Sequence, residues 1–339
     1  MKQSMSTAQK KKLNVAVVAG GYSNEYPVSI RSARSILSWL DRELFNPYLV
    51  IIKKEKRVVE IKEETYTDLD LSSFGFMNIE GKQVKFDYAF ITIHGTPGED
   101  GKIQGYLDIM GVPYNTGGVL QEALTFDKYT CNLFLSNFPG IRIARSKRLS
   151  DKLSIPSADE LIREVGFPVF VKPNAGGSSI ATTRVDDPSQ LQTAIKTAFE
   201  EADSVMVEAL INGTEVTCGC FKTNGDITPL PVTEVVTHNR FFDYDAKYNG
   251  AVEEITPARI PAEQFAHIQH LTGEIYKHLD TKGIIRVDYI IEADGQPTLL
   301  EVNTTPGMTG TSFIPQQVAA AGMNMPSLLT EIIFATIKM

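Results

Sequence analysis

The segment from Gly283 to Gly310 constrains the fold of this chain more than any other part of the sequence. It reads G-I-I-R-V-D-Y-I-I-E-A-D-G-Q-P-T-L-L-E-V-N-T-T-P-G-M-T-G, with apolar, β-branched runs on both sides of Asp294-Gly295. An Asp-Gly pair between two such runs is a strong signal for a two-residue hairpin turn. The segment therefore predicts a β-hairpin in which Ala293 faces Gln296.

This register divides the side chains of the hairpin between two faces. Because side chains alternate along a strand, Asp288 falls opposite Glu301, and Arg286 falls opposite Asn303 on the same face. The other face is apolar and carries Ile285, Val287, Tyr289, Ile291, Leu300 and Val302. The pattern predicts one face in the core and one polar face.

The polar face has two interpretations. In the simpler one it is a solvated surface with a cross-strand ion pair, as charged runs usually are. In the other it binds a cation, because carboxylates directly opposite each other repel and a cation between them would turn repulsion into binding. Two carboxylates and an amide oxygen suit Mg²⁺ that also binds substrate phosphates. The small-residue loop T-T-P-G-M-T-G that follows suits close approach by a ligand.

Length and composition limit the class of protein. A chain of 339 residues suggests two or three domains, and 42% hydrophobic with 22% charged residues is ordinary for a soluble globular protein. A net charge of −8 argues against nucleic-acid or anionic-membrane partners. The cysteines are few, odd in number and without a zinc pattern, which favours a reducing cytoplasm: Cys131, Cys218 and Cys220. Residues 1–12 read as a disordered polar tail rather than a signal peptide, and no stretch reaches the roughly 18 apolar residues of a membrane span.

The chain begins as an open α/β sheet. A buried strand over Leu13–Gly20 is followed by a glycine turn and a helix over Val28–Leu40. The dinucleotide fingerprint G-x-G-x-x-G is missing, which argues against a nicotinamide or flavin enzyme. Glu25 and His94 each follow a predicted strand, where ligands bind in such sheets. Glu25 could equally complement the helix dipole, and a lone histidine is usually structural.

After His94 the sequence predicts a helix over Ile103–Met110 and a short strand around Val112–Tyr114, which complete the first unit. A second unit follows Thr116-Gly117-Gly118. Further along, the sequence predicts helices over 127–137, from a capping box at Ser157 to Val165, and from Pro188 to Glu200.

A glycine-serine loop is the second informative feature. The stretch P-V-F-V-K-P-N-A-G-G-S-S-I-A-T-T-R-V from Pro168 predicts strand, loop and strand. Backbone N–H groups and hydroxyls in such a loop can form a phosphate-binding nest, with Lys172 as a nearby cation. A plain hairpin turn is the alternative, and the Walker pattern is missing.

The remaining predicted elements frame the hairpin. Two strands are predicted, over Ser204–Leu210 and from Glu215, with a turn between them. Glu208 and Glu215 bracket this turn, and both could also be ordinary exposed residues at strand ends. The aromatic and charged loop 238–250 is either a flap over a site or a loop held by its own aromatics. A helix over 261–279 precedes the hairpin. Ser312 begins another helix, whose N–H groups could hold a carboxylate.

Together these motifs resemble an ATP-grasp ligase, and within that superfamily the D-alanine–D-alanine ligase family. The motifs that carry the resemblance are G-G-Y-S-N-E-Y-P-V-S from Gly20, H-G-T-P-G-E-D-G-K-I-Q-G from His94, V-K-P-N-A-G-G-S-S from Val171, D-Y-D-A-K-Y from Asp243, and R-V-D with L-L-E-V-N-T-T-P-G-M-T in the hairpin. The resemblance implies a three-domain α/β fold, with an N-terminal Rossmann-like domain over 13–116. It implies two α+β domains, over 117–209 and 210–339, that sandwich the nucleotide.

The resemblance also implies a reaction and its residues. ATP phosphorylates the carboxylate of one D-alanine, and the amine of a second attacks the acyl phosphate, for peptidoglycan synthesis and cell shape. Implied nucleotide contacts are Lys128, Lys172, Ser179, Glu208, Ala209, Leu210, Glu215 and Lys247. Two Mg²⁺, with Mn²⁺ as an alternative, are implied at Asp288, Glu301 and Asn303. Catalytic roles fall to Glu25, Ser178, Tyr248, Arg286 and the backbone of Gly307, with substrate contacts from His94 and Ser312.

Some positions depart from the family pattern. Tyr26-Pro27 stand where a basic residue commonly follows Glu25, Ile180-Ala181 replace Val-Gly, and the flap has D-A-K-Y rather than E-A-K-Y. Retention of Tyr248 favours D-alanine over D-lactate as second substrate. The alternatives are a ligase that uses D-lactate or D-serine, and a nucleotide-binding regulatory protein without turnover. A cytoplasmic enzyme, often a homodimer, is the expectation from the family.

Overall fold

The structure, a computed structural model, describes residues 11–177, 181–237 and 252–337. Its first elements are β1 (Leu13–Gly20), α1 (Tyr26–Trp39), β2 (Phe45–Ile52), β3 (Arg57–Lys62), β4 (Thr65–Asp68), β5 (Gly75–Met77), β6 (Gln83–Lys85), β7 (Tyr88–Ile91) and α2 (Lys102–Met110). The first sheet has the order β4-β3-β2-β1-β7, and β1 is parallel to both of its neighbours. Its centre is apolar on both faces because both are covered: Val15 and Val17 pack in one core cluster, Ala16 and Val18 in another.

The second sheet is antiparallel and comes from the middle of the chain. The elements of this region are α3 (Val119–Phe126), α4 (Lys128–Leu135), β8 (Arg142–Ile143), β9 (Ser146–Leu149), α5 (Ala158–Val165), β10 (Val169–Pro173), β11 (Thr183–Val185), α6 (Leu191–Glu201) and β12 (Val205–Ala209). The sheet order is β11-β10-β12-β9. The predicted capping box is confirmed, since the Ser157 side chain accepts from the Glu160 N–H and the Glu160 carboxylate accepts from the Ser157 N–H.

The third sheet contains the hairpin. The elements are β13 (Thr214–Thr223), β14 (Asp226–Pro229), β15 (Thr233–Thr237), β16 (Val252–Ile255), α7 (Ala262–His278), β17 (Ile284–Ile291), β18 (Pro297–Asn303), α8 (Phe313–Ala320) and α9 (Met325–Ile337). The order is β16-β15-β13-β17-β18-β8, with β14 beside β13. The hairpin strands β17 and β18 are interior strands of this sheet, so their polar face is held in a fixed place.

The hairpin has the predicted pairs but not the predicted turn. Arg286 pairs with Asn303 and Asp288 pairs with Glu301, as the sequence indicates. The two-residue turn is wrong: Glu292 bonds Gln296 across a loop of three residues, 293–295. Gly295 has a φ of +79°, the left-handed conformation that such a loop requires. A bulge between Asp288 and Tyr289 then shifts the register back.

The bulge corrects the assignment of one side chain. Tyr289 faces Leu299, which is 1% exposed in the core, whereas Leu300 was predicted there. Leu300 instead lines the cleft described below. The extra residue of the bulge therefore moves Leu300 to the polar face but leaves Glu301 and Asn303 where the pattern predicts them.

Several element boundaries differ from the predictions. The helix predicted over 127–137 begins at Lys128, the helix from Pro188 starts as a 3₁₀ turn before α6, and only Tyr114 of the strand around 112–114 bridges the sheet. Helix α3 was not predicted. The loop 238–250 lies outside the described residues.

No single helix in the described ranges is long and apolar enough to cross a membrane. Helices α8 and α9, which meet at a bend of 104°, pass that length and composition test only as a pair.

Gly283→Ala is expected to destabilise the fold strongly. Gly283 has a φ of +76°, and a Cβ there would overlap the carbonyl oxygen of Asn115. The left-handed conformation costs a non-glycine residue about 1–2 kcal/mol, and overpacking adds about 1–3 kcal/mol. Chemical denaturation should therefore show a loss above about 2 kcal/mol.

Gly322→Ala is the matched control for this prediction. Gly322 has a similar φ of +72°, but nothing lies within 4 Å of an added Cβ. It should lose only the conformational part, about 1–2 kcal/mol. Equal losses in the two variants would show that the contact with Asn115 does not restrict residue 283.

Candidate functional site

A cleft of about 1530 Å³ lies where the three sheets meet. It is lined by the turn after β1, by β10 and β12 of the second sheet, and by β13, β17 and β18 of the third. Every predicted site residue that the structure describes lines this cleft: Glu25, His94, Lys128, Lys172, Glu208, Ala209, Leu210, Glu215, Arg286, Asp288, Glu301, Asn303, Gly307 and Ser312. The other predicted residues, Ser178, Ser179, Lys247 and Tyr248, lie outside the described residues.

A buried ion pair forms one wall of the cleft. Lys172 of β10 donates to Glu208 of β12 at 2.7 Å, and the two strands are adjacent and antiparallel. Burial lowers the pKa of Lys172, but attraction to Glu208 outweighs it and the pKa lies above its ordinary value. The second oxygen of Glu208 is buried and receives no hydrogen bond from the residues that the structure describes. Glu208 therefore brings an unsatisfied acceptor to the lining of the cleft.

Lys128 connects the second sheet to the hairpin. The helix that carries it is anchored at its first residue, because the Lys128 N–H donates to the carbonyl of Asn174 at 3.1 Å. Its ammonium donates to the carbonyl of Gly176 and lies 3.6 Å from Glu301. With Lys172, it places two cations beside the polar face of the hairpin, which suits a polyanionic ligand.

Arg286 occupies the centre of the polar face. Its guanidinium donates two hydrogen bonds to Asp288, at 2.9 and 2.7 Å, and lies 5.3 Å from the ring centroid of Phe313. With the Asn303 amide oriented to satisfy both neighbours, its oxygen accepts from Arg286 at 2.9 Å and its nitrogen donates to Glu99 at 3.3 Å. Burial lowers the pKa of Arg286, but Asp288 outweighs burial and raises it.

The polar face of the hairpin fits a divalent cation. An ionised carboxylate offers about four lone pairs, of which Asp288 uses two for Arg286 and one for Thr217. One lone pair of Asp288 remains available to a metal ion, and Glu301 and Asn303 supply further oxygen ligands from the facing strand. No group of three or more His, Cys, Asp or Glu side chains in the described part of the chain could hold a metal. The set is two carboxylates and an amide, so a cation here needs further oxygens, such as phosphates.

The opposite end of the cleft is built from the first sheet. Glu25 precedes α1 and lies so close to Gly177 that a side chain there would collide with its carboxylate. His94 is 7% exposed, and its Nε2 has no hydrogen-bond partner among the described residues. Glu99 accepts from the Gly95 N–H at 2.6 Å, and burial raises its pKa. These groups could bind an ammonium and a carboxylate of a small ligand.

Ser312 lies at the third side of the cleft, as the N-cap residue of α8. Its hydroxyl lies 2.8 Å from that of Thr309 and accepts from the Thr309 N–H at 3.0 Å. A Cβ on Gly307 would lie 3.0 Å from the Ser312 oxygen, so the loop passes close to the helix start. A helix start suits a carboxylate.

Sequence reasoning missed several residues of the site. Glu99 bonds Asn303, Thr217 bonds Asp288, and Glu254 lines the cleft and accepts from Gln316 at 2.6 Å. Glu99 lies within the motif that begins at His94, which is the signal that could have identified it. Thr217 and Glu254 belong to no sequence motif, and only the pairing of their strands brings them to the cleft.

Comparison with known proteins finds one family over nearly the whole chain. A family model described as the D-ala D-ala ligase N-terminus matches residues 14–117, and one described as its C-terminus matches residues 135–334. A D-alanine–D-alanine ligase of Porphyromonas gingivalis is 60% identical over 323 residues, covering 95% of this chain and 97% of that protein.

Solved structures agree with the sequence relatives. The VanG D-Ala:D-Ser ligase of Enterococcus faecalis superposes with a TM-score of 0.83 at 29% identity, covering 96% of this chain and 100% of that one. The D-alanine–D-alanine ligase of Bacillus anthracis complexed with ATP gives 0.77 at 29% identity, covering 96% and 98%.

Proposed function

The chain belongs to the D-alanine–D-alanine ligase family, and from this premise we propose that it joins two D-alanine molecules with cleavage of ATP to ADP and phosphate. The fold is that of an ATP-grasp ligase. The observation that carries the proposal is the convergence of acidic, basic and amide side chains from three sheets on one cleft. Such a cleft can hold a nucleotide, a cation and two small amino acids together.

ATP binding is assigned to the second-sheet side of the cleft. Lys172, which is paired with Glu208, and Lys128 supply charge for the phosphates, and their side chains are only 14% and 13% exposed. The Glu208 oxygen that has no donor among the described residues suits the exocyclic amine of adenine, beside the backbone of Ala209 and Leu210. Glu215 is assigned to the ribose. Ser179 and Lys247 complete the proposed phosphate contacts.

Asp288, Glu301 and Asn303 are proposed to bind two divalent cations, which are Mg²⁺ or alternatively Mn²⁺. A bound cation would offset the charge on the phosphates and orient the transferred phosphoryl group. The residues of this chain add the remaining electrostatics, since Arg286 donates two hydrogen bonds to Asp288 and fixes the orientation of its carboxylate. Catalysis of this kind consists mostly of positioning and charge stabilisation.

Both chemical steps take place at the carboxyl group of the first D-alanine, and the side chains around the cleft divide the roles. A carboxylate oxygen of the first D-alanine attacks the γ-phosphorus, and ADP leaves. The amine of the second D-alanine then attacks the acyl carbon, loses a proton and expels phosphate. Glu25 is proposed to bind the ammonium of the first substrate, with His94 in its pocket. Arg286 and the Gly307 N–H are proposed to stabilise the oxyanion.

The second D-alanine is assigned to the side of the cleft where Ser312 lies. Its carboxylate is proposed to bind at Ser312, where α8 begins. Ser178 and Tyr248 are proposed to link Glu25 to this subsite. We further propose a cytoplasmic enzyme of peptidoglycan precursor synthesis, with D-alanine and ATP as small-molecule partners and homodimers in solution. The proposed domains remain 13–116, 117–209 and 210–339.

The direct test is D-alanine-dependent phosphate release. The protein with ATP and Mg²⁺ should release phosphate only when D-alanine is added, and the product should be the dipeptide by mass spectrometry. A protein that binds ATP without any D-alanine-dependent release would instead be a nucleotide-binding regulator.

Competition between second substrates tests the choice of nucleophile. D-alanine, D-lactate and D-serine are offered together at pH 6 and pH 9. An ammonium must lose a proton before it attacks and a hydroxy acid carries none, so the share of D-alanyl-D-alanine should rise with pH. Product that is mainly the D-lactate or D-serine adduct at both pH values would contradict D-alanine as second substrate.

A further inference from the structure

The end of β18 is held between two buried carboxyl groups from outside the hairpin. Asn303 and Thr305 interact with Glu99, and Thr304 between them donates to Glu122 of α3 at 2.7 Å. Glu99 therefore contacts the residues on both sides of Thr304, and Glu122 contacts Thr304 itself. The proposed metal ligand Asn303 thus lies at the start of a three-residue stretch held by both carboxyl groups.

Glu122 is an unusual residue for this location. It is fully buried, and its Oε1 lies against Gly117 and receives no hydrogen bond of good geometry from the described residues. Burial raises the pKa of Glu122 well above its ordinary value; the bond from Thr304 opposes this shift and the charge of Glu99 adds to it. Burial disfavours the charged form of this carboxyl group, and Glu122 serves here as the hydrogen-bond acceptor of Thr304.

The contact links two parts of the chain that are distant in sequence. Glu122 and Thr304 are 182 residues apart, and α3 packs on both β18 and the 115–118 connection. Thr304 is 4% exposed, so its hydroxyl is largely screened from solvent and depends on Glu122 as its acceptor. Rotation of the peptide after Asn303 would break this bond and bury both groups unsatisfied.

We propose that Glu122 is a positioning residue, which acts through Thr304 to hold the Asn303 amide oxygen toward the cation site. The proposal rests on the proposed function, because that function assigns Asn303 to the metal. Outer partners of metal ligands typically change metal affinity by about 10–100-fold when they are removed. If Glu122 only stabilised the fold, its replacement would lower the unfolding temperature and would not change the affinity for the metal ion.

The experiment measures Mn²⁺ binding to the full-length protein–ADP complex by calorimetry, together with the unfolding temperature. Thr304→Val removes the donor and keeps the shape, and should weaken Mn²⁺ binding about tenfold. Glu122→Ala should act in the same direction. Glu122→Gln retains an acceptor oxygen without charge. Its Mn²⁺ affinity should stay within about threefold of wild type, a much smaller change than the tenfold loss expected for Thr304→Val.

Thr336→Val is the matched control. Thr336 is also a buried threonine, 2.6 Å from the Tyr88 hydroxyl, and it does not line the cleft. It should lower the unfolding temperature by about 2–4 °C, as Thr304→Val does, without changing Mn²⁺ affinity. Equal Mn²⁺ affinities for Thr304→Val and Thr336→Val would overturn the proposal. If the wild type binds Mn²⁺ with ADP but releases no phosphate with D-alanine, the proposed function fails, while the positioning role is still decided by the binding data.

Discussion

Replacing Glu301 by glutamine is expected to lower kcat about a thousandfold and leave the fold intact. The change keeps the size of the side chain and removes one of the two carboxylates of the proposed cation site. Loss of several kcal/mol of charge stabilisation corresponds to about three powers of ten, since 1.36 kcal/mol is tenfold in rate. Phosphate release at saturating ATP and D-alanine measures kcat, and near-ultraviolet circular dichroism monitors the fold.

Asp294→Asn is the control for that variant. Asp294 is a carboxylate of the same hairpin, but it lies at the loop end, is 56% exposed, and pairs with Arg142 at 2.8 Å. It lies outside the cleft lining, so its kcat should equal that of the wild type. A Glu301→Gln enzyme that keeps more than a tenth of the wild-type kcat would show that Glu301 is not a metal ligand.

The hairpin shows how far local sequence predicts a site. Alternation of apolar and polar residues predicts the facing pairs of Arg286 with Asn303 and Asp288 with Glu301, and both are confirmed. The turn was predicted wrongly because Asp-Gly suits both a two-residue turn and the left-handed last position of a three-residue loop. The longer loop and the bulge compensate each other, so Glu301 and Asn303 keep their predicted face while Leu299 and Leu300 exchange faces.

Contacts between distant segments could not be predicted from the sequence. Glu122 follows Gly117-Gly118 in a helix that was not predicted, and nothing near it in sequence indicates a partner at Thr304. The bond from Thr217 to Asp288 depends on the pairing of β13 with β17. A motif defines which residue types are close in sequence, whereas these contacts depend on which strands become neighbours.

Lys172→Met is expected to destabilise the protein by about 3–5 kcal/mol and to abolish measurable ATP binding. The variant leaves the carboxylate of Glu208, whose side chain is 4% exposed, buried without its cation, which is the costly way to break a buried pair. Because the folded state raises the pKa of Lys172 above 10.5, the stabilising contribution is complete below that value and declines only as pH rises above it. The loss should therefore be constant across the neutral range in urea unfolding curves.

Two further variants separate stability from binding in this pair. Lys147→Met removes the cation of an exposed pair, Lys147–Glu164 at 2.8 Å, and should leave the urea unfolding midpoint almost unchanged because solvent screens the pair. The double variant Lys172→Met with Glu208→Gln leaves no unpaired buried charge, so most of the stability should return. ATP binding by calorimetry should stay lost in the double variant, because the phosphates still lack their cation and the adenine its charged acceptor. Recovery of ATP binding together with stability would show that Lys172 is a structural cation and that the nucleotide phosphates depend on other residues.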